Sequence, residues 1–333
     1  MDPATQGAIG AAFAQTRGST KTLAKAAVIG AMAGMAPDLD VLIRSTTDPL
    51  FALEFHRHFT HSLLFIPFGA LLCALVFYGL LAKRWQLGFT QIYVWSLIGY
   101  ATHGLLDGCT TYGTQLLWPL TNHRFAWDLI SVVDLAFTLP ILAMVWLCAW
   151  QKQRGYLLAG IAWGACYLTI GFIQHERAVQ MGADIAAERG HQVLRIGAKP
   201  SFSNLVVWKI VYETPDYFYV DAVKPGITNN RVWQGDRVKK VELERDLPWL
   251  DRGSQQARDI QRFDWFSSGY IAIDPNDPYR IVDVRYSLLP NEIKPLWGIS
   301  LSPQADAKTH ASYYTQRDNP RESLQQLINM ILE

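Results

Sequence analysis

The chain has 333 residues and a formal net charge of +1. It lacks the basic surplus of an ordinary nucleic-acid binder, so no nucleic-acid partner is expected. Four cysteines (Cys73, Cys109, Cys148 and Cys166) show no CxxC spacing; three lie in apolar runs and read as small buried hydrophobes, not as a disulfide framework or a zinc knuckle, and Cys109 differs only in following Asp107, a weak ligand candidate. Hydrophobic residues make up 50% of the chain and charged residues 18%, and the two are segregated, with the apolar weight before Ile173 and the charge after it.

The N-terminal MDPATQGAIGAAFAQ has no basic region ahead of its apolar stretch and does not read as a cleaved signal peptide. Residues 8–14 predict a short helix, TRGSTK a turn, and residues 23–35 a fifth and weaker transmembrane candidate, short but with small side chains that permit close helix packing in membranes. Four longer runs, 62–82, 87–106, 129–149 and 155–173, approach the roughly 20 apolar residues that cross a hydrocarbon core of about 30 Å. Buried helices of a soluble all-α protein are the competing reading. The recurrence of these runs, with Trp and Tyr near their ends, favours the membrane.

Lys83, Arg84, Lys152 and Arg154, with Arg17, Lys21 and Lys25, would share one side, which the positive-inside rule assigns to the cytoplasm. Residues 38–61, 107–128 and everything beyond Ile173 are then expected on the extracytoplasmic face. After a polar, helical stretch from Gln174 come alternating or aromatic-rich runs (VLRIGA, NLVVWKIVYE, DYFYVDAV, SGYIAID, YRIVDVRYS) separated by turn signals. The expected architecture is a mainly α-helical integral membrane domain with 4–5 transmembrane helices, residues 1–175, followed by a small β-rich (α+β) soluble domain, residues 176–333.

The chemistry gathers on the expected extracytoplasmic face. PDLD supplies Asp38 and Asp40, HRHFTHS supplies His56, His58 and His61, and HGLLD supplies His103 and Asp107. His123, Asp128 and Asp134 follow. His103 and Asp107 stand at i and i+4, on one side of a helix, where they could grip one cation or simply bond to each other. His58 and His61 would share a side if a helix, capped by Thr60, has begun there. Asp38 and Asp40 follow the helix-ending Pro37, where ordinary turn chemistry is the plainer reading. Each motif alone has such a plain reading. Together, at membrane depth, ionisable groups of this kind default to function. A His and Asp donor set suits zinc or another divalent metal, one or two ions, with an open position for a nucleophilic water. Arg57 and Arg124 flank the set and could clamp an anion or meet lipid headgroups.

PDLD, HRxxTHSLLF, HGLLDxxTTYGTQLLWP, RFAWD and the opening MDPATQG, in this order, resemble the YdjM-type family of inner-membrane metal-dependent hydrolases. The resemblance covers about residues 1–175, and the tail is similar to the extension of longer members. It implies a membrane-bound metal-dependent hydrolase, one branch of which is described as binding the LexA repressor. More distantly, HxxxD is similar to the motif of zinc-dependent phospholipase C, an analogy only. Carried onto this chain, the pattern marks Asp38, His56, His61, His103 and Asp107 as metal ligands and Asp40 and Arg57 as catalytic. His58 stands where a small residue is usual, and Gln6 where some relatives have histidine.

The reading is a multi-pass bacterial inner-membrane protein whose metal-activated water attacks an ester or phosphoester. The substrate is expected to be an amphiphile at the lipid interface, and the C-terminal domain could take a protein partner. The alternatives are a non-enzymatic membrane module that recruits a partner through that domain, and a transporter, for which Asp134 is the main support. Against transport, the polar groups gather on one face and not at mid-membrane.

Overall fold

A computed structural model describes all of residues 1–333. In chain order the first part contains α1 (Pro3–Gln15), α2 (Leu23–Met35), a 3-10 helix (Ala36–Leu42), α3 (Phe51–Phe55), 3-10 turns at Phe59–His61 and Leu63–Phe65, α4 (Ile66–Trp85), α5 (Phe89–Gly108), α6 (Leu135–Gln151) and α7 (Arg154–Glu188). Then follow β1 (Arg195–Pro200), β2 (Trp208–Glu213), β3 (Tyr217–Lys224), β4 (Arg231–Trp233), β5 (Arg237–Lys239), α8 (Leu243–Asp246), α9 (Gln255–Phe266), β6 (Ile271–Asp274), β7 (Asp277–Asp283), β8 (Trp297–Ser300), β9 (Ser312–Thr315) and α10 (Pro320–Leu332). The chain forms two compact units. One holds Met1–Ile43, Phe55–Phe172 and Phe202–Asn204; the other holds Arg44–Glu54, Ile173–Ser201 and Leu205–Glu333.

In the helical unit, Asp2 starts α1 by accepting the backbone N–H groups of Ala4 and Thr5. α1 and α2 are built of Ala and Gly, and they pack on α5 at backbone distance. A Cβ on Gly30 would collide with Ala14 and the Gly10 carbonyl, and one on Gly99 with the Gly30 carbonyl. α5 is the central helix, burying Ile92, Trp95, Gly99, Tyr100, His103 and Asp107. Three basic loops meet at one end of this unit: Lys25 Nζ donates to the Trp85 carbonyl (2.9 Å), and an Arg154 guanidinium N–H donates to the Gly18 carbonyl (2.7 Å).

Large apolar residues stay exposed along α4 (Phe68, Leu72, Leu75, Leu80), α6 (Leu139, Trp146, Trp150) and α7 (Leu158, Ile170, Phe172). Such a surface is too extensive for water and suits lipid. Two stretches, Leu63–Trp85 and Arg154–Glu188, are long and apolar enough to cross a membrane, against the 4–5 expected from sequence. The run 129–149 is helical only from Leu135, because the Asp134 side chain accepts the Phe137 N–H and caps α6 there. That leaves a 17-residue helix.

The second unit has two antiparallel sheets. The first has strand order β1-β2-β3-β4, with β5 also paired to β3, and the second runs β6-β7-β8-β9. Val211, Phe218, Val220 and Val238 from the first sheet share a core with Ala272, Val282 and Val284 from the second. α10 lays Leu327 and Met330 on Val207, Ala222 and Leu289. The predicted runs became β1, β2, β3, β6 and β7. The strands β4, β5, β8 and β9 have three or four residues each, too few to show an alternating pattern.

Candidate metal centre

Four donors converge: Asp38 from the 3-10 helix after α2, His61 from the turn before α4, and His103 and Asp107 from one face of α5. Their ligand atoms all lie within 4.8 Å of one another. His61, His103 and Asp107 are fully buried, and Asp38 keeps 18% of its side chain exposed, making it the open edge of the group. The closeness of α5 depends on Gly104, where a Cβ would strike the His61 carbonyl oxygen.

The hydrogen bonds assign the imidazole protons. His103 Nδ1 lies 2.6 Å from the Gly34 carbonyl, which can only accept, so Nδ1 carries the hydrogen. Thr60 donates its hydroxyl to Asp40 Oδ2 (2.8 Å) and therefore accepts from His61 Nδ1 at 3.0 Å. In their neutral forms both rings turn Nε2 lone pairs inward, and these two atoms stand 2.9 Å apart. Asp38 Oδ1 is 3.4 Å from each of them, and Asp107 Oδ2 is 3.5 Å from His61 Nε2. Asp107 Oδ2 is buried without a hydrogen bond. Lone pairs and carboxylate oxygens so arranged repel one another unless a positive charge sits among them.

The titration behaviour agrees. Burial pushes the Asp38 carboxyl up, but the adjoining His103 and His61 imidazoles outweigh it and hold the group well below the usual carboxylate range. Burial pushes His61 down, but Asp107, Asp38 and Asp40 outweigh it and raise the imidazole to about 10. The centre thus demands a cation, and a proton on His61 or a divalent metal can supply it. A His₂Asp₂ set fits zinc. Four of the six donor separations, 2.9 to 3.5 Å, are near the roughly 3.3 Å edge of a tetrahedron with bonds of about 2.0 Å, and all six lie within 4.8 Å.

The other residues marked from sequence sit around this group. Asp40 lies behind His61: it accepts the Arg57 backbone N–H (3.1 Å), the Thr60 hydroxyl and His56 Nδ1 (2.7 Å), and lies 3.3 Å from His61 Nδ1. His56 is outside the four donors, its side chain 37% exposed and bound to Asp40. Arg57 is buried in the left-handed backbone region (φ 66°), with Nε 3.1 Å from Asp107 Oδ2 and Nη1 3.0 Å from Thr110 Oγ1. Arg124 donates to the Tyr112 and Gly113 carbonyls and braces their loop. His58 packs its ring on Phe55 and Trp118. Thr60 caps no helix, since Asp40 takes its hydroxyl. Asp134 accepts Tyr167 Oη at 2.8 Å besides capping α6.

Sequence reasoning missed Thr110 and gave Gln6 no role at the site. Gln6 Nε2 donates to Asp107 Oδ1 (2.9 Å), beside the Met1 amino group, and Thr110 donates to the Asp107 carbonyl.

The family described as YdjM inner membrane protein matches residues 1–178, more than half of the chain. This chain belongs to the YdjM inner membrane protein family. Among its relatives, the inner membrane protein YbcI of Escherichia coli (strain K12) is 34% identical over 144 residues, 40% of this chain and 80% of that one. The uncharacterized protein YfhP of Bacillus subtilis (strain 168) is 29% identical over 118 residues, 35% of each chain. No solved structure matches. The four converging donors of this YdjM-family chain all fall within the matched residues, and the β-rich unit lies almost wholly beyond them.

Proposed function

We propose that this YdjM-family membrane protein is a metal-dependent hydrolase acting on an ester or phosphoester of an amphiphile at the bilayer surface. The observation that carries the proposal is the pair of imidazole Nε2 atoms 2.9 Å apart, with both outer nitrogens already anchored and Asp107 Oδ2, ion-paired to Arg57 but without a hydrogen bond, beside them. Asp38, His61, His103 and Asp107 would hold one divalent ion, zinc by donor chemistry. Such an ion, when bound, makes water acidic enough to be deprotonated near neutral pH and polarises an ester oxygen.

The chain's own groups do the rest. The Gly34 carbonyl and the Thr60–Asp40 pair fix the rings with Nε2 inward, the usual outer-shell task around a metal. Asp40 therefore serves as a positioning residue. Arg57 offsets the charge of Asp107 and brings a guanidinium to where an anionic substrate would add more. The exposed Leu39 and Leu42 share the 3-10 helix of Asp38, the open edge, and offer an apolar rim to an amphiphile's chain.

The same reading makes α5 and α6 membrane-embedded partners of the two spans, in a multi-pass protein. Its basic loops would lie in the cytoplasm and its metal centre outside. To test the hydrolase, the protein is purified in detergent, its bound metal is measured, and a panel of phospholipids and activated esters is assayed. Stoichiometric zinc and turnover, both lost in His103→Ala and Asp107→Ala, are expected. Metal at background in the wild-type protein removes the proposal. Metal without turnover turns the reading to the non-enzymatic membrane module.

A further inference from the structure

The turn between β3 and β4, residues 225–230, carries Ile227 fully exposed at its tip. An isoleucine so placed contributes nothing to packing within its own unit, yet the turn beneath it is firmly held. Gln174 Nε2 donates to the Pro225 carbonyl (3.1 Å), Arg177 donates to the Gly226 carbonyl, and the Gly226 N–H donates to Asn230 Oδ1 (3.2 Å). Gln174 and Arg177 form the first polar turn of α7 after its apolar run, which ends in the exposed Phe172 and Ile173.

An α-helix rises about 1.5 Å per residue. A turn bonded to Gln174 therefore sits at the depth where α7 leaves its apolar stretch. On the same edge, Lys224 Nζ donates to the Ile331 carbonyl (2.7 Å) beside the exposed Leu332 of α10, and Arg231 pairs with Glu333 (2.9 Å).

We propose that this edge is a bilayer contact: Ile227 enters the headgroup layer, Leu332 rests beside it, and Lys224 and Arg177 lie at phosphate level. Bilayer lipid is the occupant because the residues that hold the turn continue the spanning helix. An apolar tip with basic neighbours is what the interface accepts. The inference rests on α7 crossing the membrane and is independent of any metal chemistry.

The test uses the full chain in nanodiscs of phosphatidylcholine and phosphatidylglycerol. Single cysteines replace Ile227, Phe172 or Tyr279 in a background without native cysteines, and each carries an environment-sensitive fluorophore. With headgroup-level spin-labelled lipid, emission at Ile227→Cys is expected to fall at least twofold with a blue shift. Phe172→Cys also quenches, while Tyr279→Cys, exposed on β7, stays aqueous. An unquenched Ile227→Cys beside a quenched Phe172→Cys overturns the proposal and leaves the span intact; an unquenched Phe172→Cys removes the span and the proposal with it. The native chain gives a second reading through a photoactivatable phospholipid. Label on the peptide containing Ile227 is expected, and its absence while α4 is labelled counts against the contact.

Discussion

The two units each bury a cluster of carboxylates, and they neutralise it differently. In the β-rich unit Arg262 reaches Asp48 through two nitrogens (2.7 and 3.0 Å), Glu54 (2.6 Å) and Asp259 (3.0 Å). Asp259 also accepts from His310, Gln255 and the Ala311 N–H. Every charge there has a fixed partner within the fold. In the helical unit Arg57 serves Asp107 Oδ2, the Met1 amino group and Gln6 serve its Oδ1, the neighbours of Asp38 are two imidazoles, and Asp107 Oδ2 keeps no hydrogen bond. A carboxylate cluster with its own guanidinium is closed and structural. One whose remaining neighbours include two imidazoles can take its balancing charge as a proton on His61 or as a bound cation.

The contrast breaks first if the donors are removed. His103→Ala and Asp107→Ala should each take bound zinc from about one equivalent to background in elemental analysis, with hydrolysis falling at least 100-fold; no variant of the Arg262 cluster should change metal content. Asp40→Asn should sharpen the outer-shell assignment, weakening zinc affinity by roughly 10–100-fold in a chelator competition without abolishing binding. Gly104→Ala adds a Cβ against the His61 carbonyl. It should displace that ring and lower metal affinity about 10-fold, an effect of distorted ligand placement, while Gly88→Ala, where a Cβ meets nothing, leaves affinity unchanged.

On the other side of the comparison, Arg262→Ala leaves the buried Asp259 and the partly buried Asp48 and Glu54 without their guanidinium. It should cost roughly 1–3 kcal/mol, between the surface and buried limits for ion pairs, read as a lower apparent Tm with full zinc content. A pH-dependent effect concerns the second internal cation of that unit. Burial pushes the Lys209 ammonium down to about 7, whereas an unfolded lysine titrates near 10.4. Between those values the unfolded chain binds the extra proton, so stability rises with pH from about 7 to about 10. Lys209→Met should flatten that slope in apparent Tm measurements.

Much of the centre was legible because its motifs are local. HGLLD puts His103 and Asp107 on one helix face by periodicity alone, and PDLD and HRHFTHS announce themselves as ionisable groups beside apolar runs. Which residues face inward was not legible. His56, Arg57 and Asp40 are indistinguishable from ligands or catalysts in sequence, since a hydrogen bond from His56 to Asp40 and the inward turn of His61 arise only when segments 16 to 21 residues apart meet. Gln6 reaches Asp107 across 101 residues of sequence, a contact that no spacing rule predicts.

By itself the sequence determined the division into an apolar helical part and a β-rich part, the sites of the chemistry-bearing motifs and the family, because composition and short-range periodicity are properties of contiguous residues. Tertiary structure alone decided that α6 starts at Asp134, that Arg44–Glu54 packs with the β-rich unit, and that four of the marked side chains converge while His56 stands apart. The physical reason is the same in each case. Buried polar groups must find partners, and those partners are chosen by proximity in space among residues distant in the chain.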